Sequence, residues 1–148
     1  MDRGKDDTGG KVLKQIADLH IHSRYSMATS KDGTPEMLDL WARKKGITLL
    51  GTGDMTHPIW RQELKDKLIP AEQGLFRLKE EYVLPEAAHS PGKAPRFVLS
   101  GEISSIYKKN GRVRKVHSLI LLPGLEEAEV ISRKLEAIGN IHSCLLYT

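Results

Sequence analysis

The sequence is short of several things, and each shortage excludes a class of protein. A single cysteine, Cys144, stands among 148 residues, so there is neither an intrachain disulfide nor a thiolate-built zinc site. Histidine and carboxylate remain as metal ligands. The longest apolar run, Leu119 to Leu122, falls far below the roughly 20 residues of a membrane-spanning helix, so no membrane partner is expected. Met1 to Gly10 lacks the apolar core of a signal peptide, which points to a cytoplasmic protein. Charge of one sign is scarce: 23 basic side chains face 19 acidic ones, for a net +4, too mild an excess to name a polyanionic partner. There is no Gly-x-x-x-x-Gly-Lys-Ser/Thr loop to support ATP-driven chemistry. With 39% apolar and 28% charged residues, the composition is that of one globular domain rather than a disordered chain.

Hydrophobic periodicity orders the elements. Ile16 to His22 alternates as a strand that puts Asp18, His20 and His22 on one face. Thr34 and Pro35 cap a helix whose stripe is Met37, Leu38, Trp41 and Ala42, ending at Gly46. Ile47 to Leu50 is a short buried strand, so the first three elements form a βαβ unit and the sheet starts parallel. Thr56 caps a second helix, Pro58 to Leu68, which Pro70 ends. Residues 73–95 read as a surface excursion with a helical turn at Leu75 to Tyr82, and Arg96 to Leu99 resumes as strand. Asn110-Gly111 predicts a type I′ hairpin within Ser104 to Lys115. Val116 to Leu122 is a further strand, and Leu125 to Ile138 a third helix, with Ala128, Ile131, Leu135 and Ile138 on one face. Trp41 and Trp60 lie on helix stripes and are expected in the core. His89 reads as a surface residue.

Asp18-Leu19-His20-Ile21-His22 carries the strongest chemical signal. Strand residues two apart face one side about 6.6 Å from each other, so two imidazoles can converge on one ion. The alternative is a pair of polar residues on a solvent-facing strand. Position favours the ligand reading: Gly51-Thr52-Gly53-Asp54 and Ser100-Gly101-Glu102 each put a carboxylate just beyond an apolar run. In parallel α/β architecture those strand ends share one rim, where Asp54 and Glu102 would meet His20 and His22. His117, near the start of its run, fits this rule less well. A carboxylate and imidazole set suits zinc, manganese or iron, and a Glu can bridge two ions. Arg24 and Lys31, in the loop after the His pair, are candidate phosphate contacts, with a plain solvated loop as the alternative. Arg112, Arg114 and Lys115 give the hairpin a basic edge, read here as a guard against pairing with other chains.

The segment Ala17 to Lys31 resembles the opening motif of the polymerase and histidinol phosphatase (PHP) superfamily, specifically its endonuclease Q branch. Gly51-Thr-Gly-Asp-Met-Thr-His-Pro58, Gly101-Glu102-Ile103-Ser104 and Lys115-Val-His-Ser-Leu-Ile120 are similar to the next three motifs, in order. The resemblance implies an α/β fold, the N-terminal part of a distorted (β/α)7 PHP barrel with a β-hairpin insertion, holding up to three metal ions. It also implies cleavage of DNA 5′ to deaminated bases such as uracil and hypoxanthine, and to abasic sites. On that carry-over His20 and His22 hold the first ion, Glu102 bridges two, His117 helps hold the second, and Asp54 belongs to the third. Glu102 and Asp54 would be the catalytic carboxylates. His57 and Asp18 are outlying candidates, His57 because it could equally start a helix and bond locally.

The family's pattern continues with a later His motif and an Asp-x-His pair that this sequence lacks. After Gly139-Asn140 a Ser-Asp-Gly-Arg-Pro-like step is expected, whereas the chain reads Ile141 to Thr148. Residues 1–10 are accordingly read as a disordered leader, 11–140 as a partial PHP metallo-phosphoesterase domain, and 141–148 as the atypical tail of a truncated or frameshifted product. His142 and Cys144 are not promoted to ligands. Three readings stay open: a DNA repair endonuclease of the endonuclease Q type, a non-catalytic metal-binding fragment whose missing motifs a complementing polypeptide would supply, and an amidohydrolase-type metal hydrolase.

Overall fold

The computed structural model describes residues 14–27, 29–138 and the backbone of 145–147. The elements run β1 (Ala17–Asp18), α1 (Pro35–Lys45), β2 (Leu49–Gly51), α2 (Pro58–Lys67), β3 (Leu68–Pro70), β4 (Phe76–Leu78), β5 (Arg96–Lys109), β6 (Arg112–Leu122), α3 (Leu125–Glu136) and β7 (Leu145–Tyr147). The leader 1–10, His142 and Cys144 lie outside the described residues.

Local chemistry explains the helix boundaries. Thr34 accepts from the Met37 N–H at the start of α1, and Gly46, at φ 72°, donates to the last carbonyls in the left-handed conformation. His57, rather than Thr56, caps α2 by accepting from the Trp60 N–H. α3 buries Ala128 and Ser132 against the sheet, while Ile138, beyond the helix, is exposed.

β1 pairs parallel with β2, and β2 parallel with β5, which is the expected βαβ arrangement. The sheet as a whole is mixed, in the order β1-β2-β5-β4-β3, with β6 and β7 joining β5 further along. Three expectations change. The first strand is shorter than predicted, so the two histidines follow its end. Residues 73–95 are more than a surface excursion with one helical turn at Leu75 to Tyr82: β4, within them, pairs antiparallel with the preceding β3 and with β5, and 3-10 turns follow at Glu80–Tyr82 and Pro85–His89. Pro70 fits there because it is the last residue of a three-residue edge strand. The atypical tail, for which no element was expected, contributes β7, which pairs parallel with β5 at Ser104–Ile106.

Asn110 and Gly111 have φ of 53° and 72°, so the turn joining β5 to β6 takes the two positive φ angles a type I′ turn requires. The strands it joins form one antiparallel ribbon from Leu99↔Leu122 to Lys109↔Arg112, longer than the separate segments predicted.

The core lies where α1, α2 and α3 cover the sheet, and Leu50, Met55, Trp60, Leu64, Phe97 and Leu99 are all buried within it. Trp60 is fully enclosed, as expected, and its indole N–H donates to the carbonyls of Thr52 and Gly53. Trp41 is not: it is 49% exposed, with the Lys44 ammonium over its ring. The face of α1 that turns inward carries Asp39, Leu40 and Ala42, Asp39 being held there by the Arg43 guanidinium at 2.7 Å. Among the described residues no helix is long and apolar enough to cross a membrane.

Gly53 and Gly111 share a left-handed φ, but a Cβ on Gly53 would strike the Ile21 carbonyl, whereas Gly111 faces open space. Gly111→Ala is therefore expected to cost about 1 kcal/mol and Gly53→Ala about 3 kcal/mol. Urea denaturation of the two variants checks the ordering, and equal losses would contradict it.

Candidate metal centre

The loop after β2 and strand β5 are laced together before any site residue is placed. Thr52 N–H donates to the Val98 carbonyl at 2.9 Å, Gly53 N–H to Ser100 Oγ at 2.9 Å, and Met55 N–H to the Ser100 carbonyl at 3.1 Å. Ser100 N–H returns a bond to Thr52 Oγ1 at 3.1 Å. This lacing runs along β5 up to the residue before Gly101. There the missing Cβ matters: one built on Gly101 would press on Met55. Glu102 is thus delivered beside the loop that carries Asp54.

Glu102 stands at the centre. Its Oε2 lies 2.5 Å from His20 Nε2 and 3.5 Å from His22 Nε2, while Oε1 meets His117 Nδ1. The register explains the last contact. Glu102 pairs with Leu119 and Ser104 with His117, so Glu102 and His117 are diagonal neighbours on one face of the ribbon. His117 therefore reaches the site by antiparallel pairing, which is why it does not obey the strand-end rule. The His20 and His22 rings lie 5.7 Å apart.

Asp54, at φ 46°, is buried behind His22. Its Oδ2 accepts from Ser23 N–H at 2.6 Å and Ser23 Oγ–H at 2.7 Å, and its Oδ1 lies 3.1 Å from His22 Nδ1. Asp54 Oδ1 is placed to accept from a proton on His22 Nδ1, the tautomer that leaves Nε2 open on the side of Glu102. Asp54 is thereby placed to orient His22 as well as to carry charge. His57 Nδ1 accepts from the Trp60 N–H at 3.4 Å, and its ring stacks on Tyr25 at 4.6 Å. Asp18 is exposed at the strand and lies outside the gathered donors.

A metal fits this donor set. His20, His22 and Glu102 each offer one atom within 4.8 Å of the others. Two ligands bound tetrahedrally at 2.0–2.1 Å stand about 3.3 Å apart, close to the 3.5 Å between His22 Nε2 and Glu102 Oε2. The side chains of Asp54 and Glu102 are only 5% and 12% exposed, and among the described residues no Lys or Arg pairs with either. Two nearly buried carboxylates without a cationic side chain leave negative charge for a cation to offset.

The loop cations divide. Arg24 is committed inward, its Nη2 2.9 Å from Glu63 Oε2 and 3.1 Å from the Tyr25 hydroxyl, whereas Lys31 is exposed. Glu63 also holds Lys67 at 2.8 Å, and Lys67 reaches Glu36 at 2.5 Å, tying the site loop to α2 and α1. The sequence reading missed the tasks of Ser23 and Ser100. Only the placement of Ser23 directly after His-x-His, and of Ser100 just before Gly101-Glu102, hinted at them.

No family model matches the chain. A crystal structure of endonuclease Q in complex with a 27-mer duplex substrate bearing an abasic lesion at the active site aligns with a TM-score of 0.67 and 28% identity, over 89% of this chain. The lesion-specific endonuclease PfuEndoQ from Pyrococcus furiosus gives 0.66 and 28% over 88%. The chain is similar to endonuclease Q. It spans 29% and 28% of those two endonuclease Q chains. The protein MJ0043 of Methanocaldococcus jannaschii is 35% identical over 112 residues, which are 76% of this chain and 10% of that protein.

Two expectations follow from this geometry. Asp54→Ala removes the acceptor of Ser23 and His22 and should cost about 2 kcal/mol. It should also redistribute the His22 proton between its two nitrogens, read from ring 15N shifts; an unchanged tautomer would refute the orienting role. For Glu36, burial opposes the charge, but the hydrogen bond and charge of Lys67 outweigh it and hold the carboxyl below its usual range. For Lys67, burial again opposes, and Glu36 and Glu63 raise it. A lowered acid stabilises the fold above its unfolded pKa and loses that contribution as pH falls through its folded value; a raised Lys keeps its contribution until strongly alkaline pH. Lys67→Met should therefore cost about 2 kcal/mol at neutral pH. The deficit should shrink near pH 3 in denaturation curves, and a deficit independent of pH would exclude this linkage.

Proposed function

We propose that the chain carries a divalent-metal phosphodiesterase centre of the PHP type that acts on DNA containing deaminated bases or abasic sites. The observation that carries the reading is the division of the Glu102 carboxylate, one oxygen toward His20 and His22 and the other toward His117. A carboxylate so divided suits two neighbouring cations. Support for the substrate is the likeness to endonuclease Q, of which one structure is described as a complex with an abasic duplex. In this reading the open sheet corresponds to part of a (β/α)7 barrel.

His20, His22, Glu102 and His117 would hold the ions, zinc first and manganese or iron next. Bound cations acidify water toward neutral pH and offset charge on the phosphate oxygens. The chain's own residues do the positioning. His20 and His117, with 52% and 57% of their side chains exposed, stand at the mouth, and Glu102 lies beneath them. Asp54 fixes the tautomer and angle of His22, Ser23 fixes Asp54, and the third-ion role that the resemblance gives Asp54 belongs to the same proposal. No Ser or Cys nucleophile is needed.

Elemental analysis of the purified chain should find a transition metal, and His20→Ala combined with His22→Ala should lower its occupancy at least tenfold. Oligonucleotides containing uracil, hypoxanthine or an abasic site should be cut in preference to undamaged DNA. Protein with no affinity for zinc, manganese or iron would defeat the reading. Metal binding without cleavage would leave only the ion-holding part of it.

A further inference from the structure

The charge left over by the site is concentrated on the far end of the β5–β6 ribbon. Lys108, Lys109, Arg112, Arg114 and Lys115 fall within eight consecutive residues, and no carboxylate occurs between Glu102 and Glu126. All five are exposed, and among the described residues none is in an ion pair. Elsewhere Arg24, Arg43, Lys67, Arg77 and Arg96 each face a carboxylate.

The register sorts the five. Ile106 pairs with Lys115 and Lys108 with Val113, so Lys108 and Lys115 share the ribbon face of Glu102 and His117. Tyr107, Lys109, Arg112 and Arg114 occupy the reverse face. Among the described residues β7 accompanies β5 only as far as Ile106, and the remainder of the ribbon is a two-stranded arm. Rows of side chains on one face are about 6.6 Å apart. Lys115 thus stands one row, and Lys108 two rows, from His117.

We propose that this arm grips the phosphates of a DNA strand, with Lys115 and Lys108 extending the track that begins at Glu102 and His117. The choice of DNA rests on the function proposed above; the cationic track does not. Each nucleotide advances a strand by about 3.4 Å, so successive rows match about every second phosphate. Lys109, Arg112 and Arg114 on the reverse face fit a guard against strand pairing equally well, but Lys115 and Lys108 continue the line of the site.

The test compares the full chain with Lys108→Gln/Lys115→Gln and with the reverse-face pair Lys109→Gln/Arg112→Gln. Binding to abasic and undamaged duplexes is followed by fluorescence anisotropy across a salt series. Losing two phosphate contacts should flatten the slope of log K against log salt by about 1.8. The wild type would then lose about 12-fold more affinity than the variant over a fourfold rise in salt. The effect should be equal on both duplexes, because phosphate contacts carry no base information, and smaller in the reverse-face pair. An unchanged slope, an equal flattening by the reverse-face pair, or no DNA binding by the wild type would overturn the proposal. Metal content and cleavage, measured on the same preparations, report separately on the function proposed above.

Discussion

Glu102 imposes the constraint that the rest of the site obeys. A nearly buried carboxylate is costly unless its charge is matched, and here Asp54 adds a second acid on the other side of His22. Imidazoles can offset that charge only by contributing protons, and His22 already faces Asp54 through Nδ1. The fold therefore concentrates negative potential at a mouth ringed by ring nitrogens. Structural ion pairs elsewhere in the chain are built differently, with a Lys or Arg for each acid. The contrast within one molecule separates a scaffold whose acids meet Lys or Arg from a site where, among the described residues, the acids meet imidazoles and no Lys or Arg.

Holding those acids together demands close backbone approach, and glycines provide it. A Cβ on Gly51 would meet the Leu19 carbonyl and one on Gly53 the Ile21 carbonyl, so the loop after β2 lies directly on the segment carrying His20 and His22. Met55 fits over Gly101 from the same loop. The three glycines recur just before the acids or between them, which makes the motif spacing a packing requirement as much as a chemical one.

Much of this was legible in the sequence where one local rule governed the outcome. The His-x-His spacing brought His20 and His22 to one site, though both follow the end of β1, while the Thr34 cap and Gly46 set α1 and Asn110-Gly111 fixed the turn. Apolar runs followed by a carboxylate located Asp54 and Glu102. The sequence was less informative wherever a long-range partner decided. β3 and β4 are three-residue strands among prolines, stabilised by pairing with each other and, through β4, with β5, which no local pattern encodes. Trp41 lies outside the core because Asp39 turns inward with Arg43, a burial that hydrophobic periodicity counts against. The link of Asp54 to Ser23 and His22 joins residues more than 30 positions apart, and the reach of His117 depends on the register of the ribbon.

That ribbon also resolves an apparent contradiction in the charge. A net +4 is too small to mark a polyanion binder when averaged over the chain, yet the average hides a division along two strands. Near the root of the ribbon lie Glu102, His117 and the donors that attract cations; beyond Ile106 only cations occur. The proposed phosphodiester substrate would meet both properties at once, the flanking cations offsetting the repulsion between the acids and its phosphates. The antiparallel register joins the two by placing Glu102, His117, Lys115 and Lys108 on one face. A shift of one residue between the strands would turn the His117 side of the pairing away from Glu102 and break the line of cations as well. The type I′ turn at Asn110-Gly111 fixes that register, so the most local feature of the chain governs its most distributed one.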